Sequence, residues 1–115
     1  MIKLEEKVRG DEHPSTLETR NNLANAIAEQ GRYPEAETEY RSVLTLREKV
    51  LGVEHPDTLE TCFNLANCLR VEGKASEAKT LAQRAADGAR NILGPQSPDT
   101  KRYEQLLGEL LAKQE

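Results

Sequence analysis

Tryptophan is absent from these 115 residues, aromatic side chains make up 3% of them, and phenylalanine and methionine occur once each. A core built around large rings is excluded, so the 37% of hydrophobic residues must pack through aliphatic side chains, above all Leu and Ala. Small side chains of that kind let helices approach closely. A basic excess is missing too: 16 Lys and Arg stand against 20 Asp and Glu, a net charge of −4. Nucleic acid and anionic membrane surfaces are held by clustered cations, so neither is expected as a partner. No apolar run approaches the length of a membrane span, and Met1-Ile2-Lys3-Leu4-Glu5-Glu6 lacks the apolar stretch of a secretory leader. The expected setting is the cytoplasm.

What the chain does have is repetition. Gly10-Asp11-Glu12-His13-Pro14-Ser15-Thr16-Leu17-Glu18-Thr19 returns 42 residues later as Gly52-Val53-Glu54-His55-Pro56-Asp57-Thr58-Leu59-Glu60-Thr61, and fades into Gly94-Pro95-Gln96-Ser97-Pro98-Asp99-Thr100. Asn22-Leu23-Ala24-Asn25 answers to Asn64-Leu65-Ala66-Asn67, Gly31 to Gly73, and Glu35-Ala36 to Glu77-Ala78. A period of this length marks stacked small units, none of which can bury its apolar face alone.

Each unit reads as two amphipathic helices. The first runs from about Pro14 to Gln30, with Leu17, Leu23, Ala24, Ile27 and Ala28 at helical spacing. Pro14, Pro56 and Pro98 suit the first helical position, where a missing N–H is no loss, and His13, His55 and Ser97 then stand at the N-cap. Gly31 and Gly73 suit the C-terminal end. The second helix, about Pro34 to Leu51, buries Ala36, Tyr40, Val43, Leu44, Arg47, Val50 and Leu51; its counterpart, about Ser76 to Leu93, buries Ala78, Leu81, Ala82, Ala85, Ala89, Ile92 and Leu93. Exchange of Tyr40 for Ala82 and Val43 for Ala85 predicts a tighter contact in the second unit. No stretch alternates with period two, so the expected class is all-α.

By the same register, residues 1–10 match the end of a preceding second helix, 14–51 form one repeat, 56–93 a second, and 98–113 the first helix of a further repeat or a cap. The expectation is a single array, cut from a longer one or covered at its ends. The last helix carries Tyr103, Leu106, Leu107, Leu110 and Leu111 with no following helix to cover them; it either caps the array or exposes an apolar stripe, with Leu107 and Leu111, for self-association as a homodimer.

Chemistry-bearing constellations are sparse. Cys62 and Cys68 lie six apart on one helix, about 9 Å of rise, too far for a disulfide. Arg20 and Ala26 replace them one unit earlier, so they read as small apolar fillers in a reducing compartment. His13 and His55 are linker residues without zinc-type spacing to either cysteine. With no phosphate loop, nucleophile elbow or paired carboxylates, the expectation is a non-catalytic protein without cofactor or metal.

The Leu23-Ala24/Ile27 and Ala36/Tyr40/Val43 set, repeated as Leu65-Ala66/Leu69 and Ala78/Ala82/Ala85, resembles the tetratricopeptide repeat. The 42-residue length, the Asn21–Ala24 string and the Leu51–Pro56 linker are similar to the kinesin light chain variety. The heptad coiled coil that joins kinesin light chain to its motor has no counterpart in these residues, so the repeat type carries over and the motor partnership does not. The resemblance implies a right-handed α-solenoid acting as a protein-interaction scaffold, with first helices lining a groove for a peptide or helical segment of a partner. The groove positions would be Glu18, Asn21, Asn22, Asn25 and Glu29; then Glu60, Phe63, Asn64, Asn67 and Arg70; then Arg102, Gln105, Glu109 and Lys113. Asparagine carboxamides offer a peptide group both donor and acceptor, and Arg70 with Arg102 could hold a carboxylate. The asparagines bind a ligand or, alternatively, fix the pitch between helices; Phe63 is a ligand anchor or an inter-helix contact. The Lys of a carboxylate clamp found in some members is missing. Self-association through the end helices is the alternative function.

Overall fold

A computed structural model describes residues 13–112, which form five helices and no strand: α1 Pro14–Glu29, α2 Tyr33–Leu51, α3 Pro56–Val71, α4 Ala75–Leu93 and α5 Pro98–Ala112. The reading of residues 1–10 as the end of a preceding helix lies outside the described residues, as does Lys113. Each helix packs on the next in sequence, and α3 touches both α1 and α5 more lightly, which is the layout of an all-α solenoid.

The linker histidines start the first helices. His13 Nδ1 accepts from the Ser15 N–H at 3.1 Å and His55 Nδ1 from the Asp57 N–H at 3.0 Å, each satisfying a donor the helix cannot. Proline follows each histidine, as its fixed φ favours. Gly52 and Gly94 close α2 and α4 with φ of +102° and +91° and extended ψ, a conformation effectively confined to glycine. That geometry turns the chain into the next unit.

Packing depends on the neighbour as much as on the residue. On α3, Thr58, Thr61, Leu65 and Cys68 are buried against α2: the Thr58 hydroxyl donates to Arg47 O at 3.4 Å and Cys68 Sγ to Tyr33 O at 3.3 Å. Their counterparts on α1 are Thr16, Thr19, Leu23 and Ala26, of which the last three are exposed. Leu23, expected on the buried stripe, is 53% exposed, whereas Leu65 is 1% exposed. The reason is that no described helix precedes α1 to cover this face. Burying one such leucine is worth roughly 1.5–3 kcal/mol, a large share of a small domain's stability.

The second unit is packed more closely, as the alanines predict. Ala78, Ala82, Ala85, Ala86 and Ala89 are all buried, and a Cβ on Gly88 would meet Leu59 Cδ2 at 2.7 Å. Val50, Ile92 and Leu93, expected to be buried, are exposed. They sit in the last turns of 19-residue helices whose first-helix partners α1 and α3 have 16, so those turns overhang.

Two polar devices join the units. Arg47 is 4% exposed; its Nη1 donates to Asp57 O at 3.0 Å and Thr61 Oγ1 at 2.9 Å, while its Nε finds no partner. Thr61 Oγ1 has Asn21 Oδ1 and Asp57 O as acceptors for its one proton, each at 3.3 Å, so α1, α2 and α3 meet in one buried polar cluster. Thr61→Val is expected to lower stability by about 1–3 kcal/mol, because it leaves the buried Arg47 guanidinium with Asp57 O as its one close acceptor and takes away the donor to Asn21 Oδ1. Thr61→Ser should restore most of the loss; urea titration of the three chains checks this.

Nearer the surface, Glu37 of α2 accepts from Lys74 Nζ at 3.0 Å and from Arg41 Nε at 2.8 Å, and Arg41 also reaches Glu77 of α4 at 2.7 Å. Burial pushes the Glu37 carboxyl up, but hydrogen bonds from Lys74, Glu72 and Arg41 outweigh it and hold the group at about 2. Burial and the Glu37 carboxylate together raise Glu72. A carboxyl depressed in the fold stabilises it above the ordinary carboxylate range, and that contribution fades as pH falls from 4.5 toward about 2. Glu37→Gln should therefore lower Tm at neutral pH, with the gap to wild type closing as melts are repeated at increasingly acid pH.

Candidate peptide groove

The first helices share a face, and a cavity of about 380 Å³ opens along it. Asn25, Ala28 and Glu29 come from α1; Glu60, Asn64, Asn67, Cys68 and Val71 from α3; Arg102 from α5; Tyr33 and Tyr40 of α2 complete the lining. Helical spacing brings them together, since Glu60, Asn64, Asn67 and Val71 follow at intervals of three and four on one side of α3. Asn25 and Asn67 hold one register position in successive units, as do Glu29 and Val71.

The cavity brings together the expected Asn25, Asn64, Asn67 and Arg102, along with Glu29 and Glu60. Asn25 Oδ1 accepts from the Tyr40 hydroxyl, and Asn67 Oδ1 accepts from Arg70 Nη2 at 2.8 Å and Nε at 3.2 Å. What these two offer a ligand is chiefly N–H donors. Asn64 is half-buried and makes no hydrogen bond among the described residues, so its donor and acceptor both remain. Arg70 is thus engaged with Asn67 and does not join Arg102 in the cavity lining.

Like Arg70, the expected Glu18, Asn21, Asn22, Phe63, Gln105 and Glu109 lie outside the cavity lining. Asn21 is a correction: it is 3% exposed and holds Thr61, a contact between helices that leaves nothing for a ligand. Asn22 is exposed but outside the cavity lining. Phe63 stacks on Tyr103 with ring centroids 4.8 Å apart, and the Arg102 guanidinium lies 5.0 Å above it, so its contact is between α3 and α5. Leu106 and Leu110 are buried, Leu107 is half-buried against the core, and Leu111 is 46% exposed.

Helical spacing in the sequence puts Tyr40 in the packing stripe and does not mark Tyr33, Ala28, Val71 or Cys68 as groove residues. The register of Val71 against Glu29 was a usable signal; the reach of Tyr33 and Tyr40 across from α2 was not, because period alone says nothing of a neighbouring helix. Burial, with Cys68, Glu29 and Glu60 nearby, raises the Tyr40 phenol above its ordinary value, so the ring stays a neutral donor. Burial likewise pushes the Cys62 and Cys68 thiols up to about 11, which suits inert packing rather than nucleophilic chemistry. Among the described residues no group of three His, Cys, Asp or Glu could hold a metal ion, and no helix is long and apolar enough to cross a membrane.

A family model for the tetratricopeptide repeat matches residues 15–89. The chain belongs to the tetratricopeptide repeat family. Such repeats generally mediate protein interactions and are generally non-catalytic. Among solved structures, this tetratricopeptide repeat chain is similar to a Podosopora anserina protein classed provisionally as a kinesin light chain, with nearly identical TPR-like repeats. The TM-score is 0.86 at 26% identity, over 95% of this chain and 52% of that one. A single-residue variant of that protein gives 0.87 at 26% identity, over 95% and 51%. BtubC (BKLC) from P. vanneervenii shares the fold with a TM-score of 0.86 at 19% identity, over 96% and 44%. The chain thus spans about half the length of these structures. No curated protein sequence matches it.

Tyr40→Phe removes the hydroxyl that holds Asn25 and is expected to lower stability by about 0.5–1.5 kcal/mol. Thermal melts check the loss; the Asn25 side-chain amide resonances should shift and broaden in the variant.

Proposed function

We propose that the protein is a non-catalytic interaction scaffold that binds a peptide or helical segment of a partner protein along the face shared by α1, α3 and α5. The observation that carries this reading is the cavity itself, in which Asn25, Asn64 and Asn67 from successive units line one trough with their carboxamide N–H groups uncommitted. Equivalent carboxamides one repeat apart suit a ligand whose own main chain repeats. Stacked helices fix the trough before binding, so ordering falls mainly on the ligand. Family membership supports the same class of function.

Self-association through the end helices has less to stand on. On α5, Lys101, Glu104 and Gly108 stand where α3 has Leu59, Cys62 and Ala66, and Glu104 is paired with Arg90 of α4 at 2.9 Å, leaving Leu111 as the exposed large apolar side chain of that helix. A stable homodimer needs a broader apolar core than that.

Short peptides selected by display against the wild-type chain should lose roughly ten-fold or more in affinity for the Asn64→Ala, Asn67→Ala double variant. Far-UV circular dichroism should remain that of the wild type. Selected peptides that bound the double variant equally well would move the interaction off this face.

A further inference from the structure

The charge balance of the cavity narrows what can enter it. Its charged lining residues are Glu29, Glu60 and Arg102. Arg102 Nη2 donates to Asp99 Oδ1 at 3.2 Å, and its guanidinium lies 5.0 Å from the centre of the Phe63 ring and 5.5 Å from that of Tyr103. Its charge is therefore balanced by Asp99 and spread over two rings. Glu29 pairs with no cation among the described residues. The cation near Glu60 is Arg47, at 4.0 Å, whose Nη1 is already committed to Asp57 O and Thr61 Oγ1. The cavity is left with Glu29, which has no cation beside it among the described residues, with Glu60, whose ion pair to Arg47 is long at 4.0 Å, and with one arginine that has its own partner.

The rest of the lining suits a long side chain with a charged end. Ala28, Val71 and the Tyr33 ring offer apolar surface to an aliphatic stem, and tyrosine faces attract a cation as well. Glu29 and Glu60 both line this cavity beside Tyr40. An acidic segment would meet them with like charge and be repelled.

We infer that the cavity receives a cationic side chain, arginine or lysine, projecting from an extended segment of the partner protein, with Glu29 and Glu60 as its carboxylate partners. The inference rests on the groove reading above and adds the chemical class of the ligand. The asparagines hold the main chain of the segment, and the two glutamates select its side chain.

A positional-scanning library of short peptides, each pool carrying one fixed residue in a mixed background, tests this on the intact chain. Pools fixed as Arg or Lys at one position should bind roughly ten-fold better than those fixed as Glu or norleucine. That preference should disappear in the Glu29→Gln, Glu60→Gln double variant, persist in Glu54→Gln, and weaken with added salt. Preference for acidic or neutral pools, with binding still lost in the Asn64→Ala, Asn67→Ala variant, would overturn the inference and leave the groove standing. Binding that ignores both double variants would remove the groove reading and this inference with it.

Discussion

One side of every first helix must be covered by the second helix of the unit before it. Thr58, Thr61, Leu65 and Cys68 are covered in this way by α2 and are buried; Thr19, Leu23 and Ala26, at the matching places on α1, are in solvent. Side-chain type does not account for the contrast, since Leu23 and Leu65 are the same residue in the same local string. The fold is cooperative between units before it is stable within one, which is the physical meaning of a repeat array. Helix positions, the trough on the first-helix face and the polar links across the boundary all follow from that docking.

Docking surfaces of this kind are apolar and alike in every unit, so precise angles need something more directional. The Arg47–Thr61–Asn21 and Glu37–Lys74–Arg41–Glu77 clusters supply it, one inside the array and one at its rim. Hydrogen bonds that fail outside narrow distances and angles fix the tilt of α3 and α4 against α2. The tilt in turn sets how far apart Asn25 and Asn67 stand, which is the spacing a ligand's backbone would meet.

Helix boundaries were legible in the sequence to within about one residue, because Pro, Gly and His recur at fixed register and each has a local physical job. Asn25, Asn64, Asn67 and Arg102 were legible as one surface for the same reason. Asn21 and Leu23 were not, since their surroundings are made by other units: a repeat register predicts which face a residue occupies, not what lies opposite. Tyr33 and Tyr40 were missed as groove residues because their reach crosses from α2 to the first helices. Phe63 fits two roles by register alone, and it is the ring of Tyr103 on α5 that makes it an inter-helix contact.

The buried arginine makes the two repeats non-interchangeable. Ala89 stands where Arg47 does one unit on, and Phe63 where Asn21 does. If the chain slipped by a whole unit while folding, Arg47 would lose the Thr61 hydroxyl, because Tyr103 stands at that place one unit on. Near-identical modules invite such mispairing, and a single ionic key inside one joint gives the correct alignment an energy the slipped one lacks.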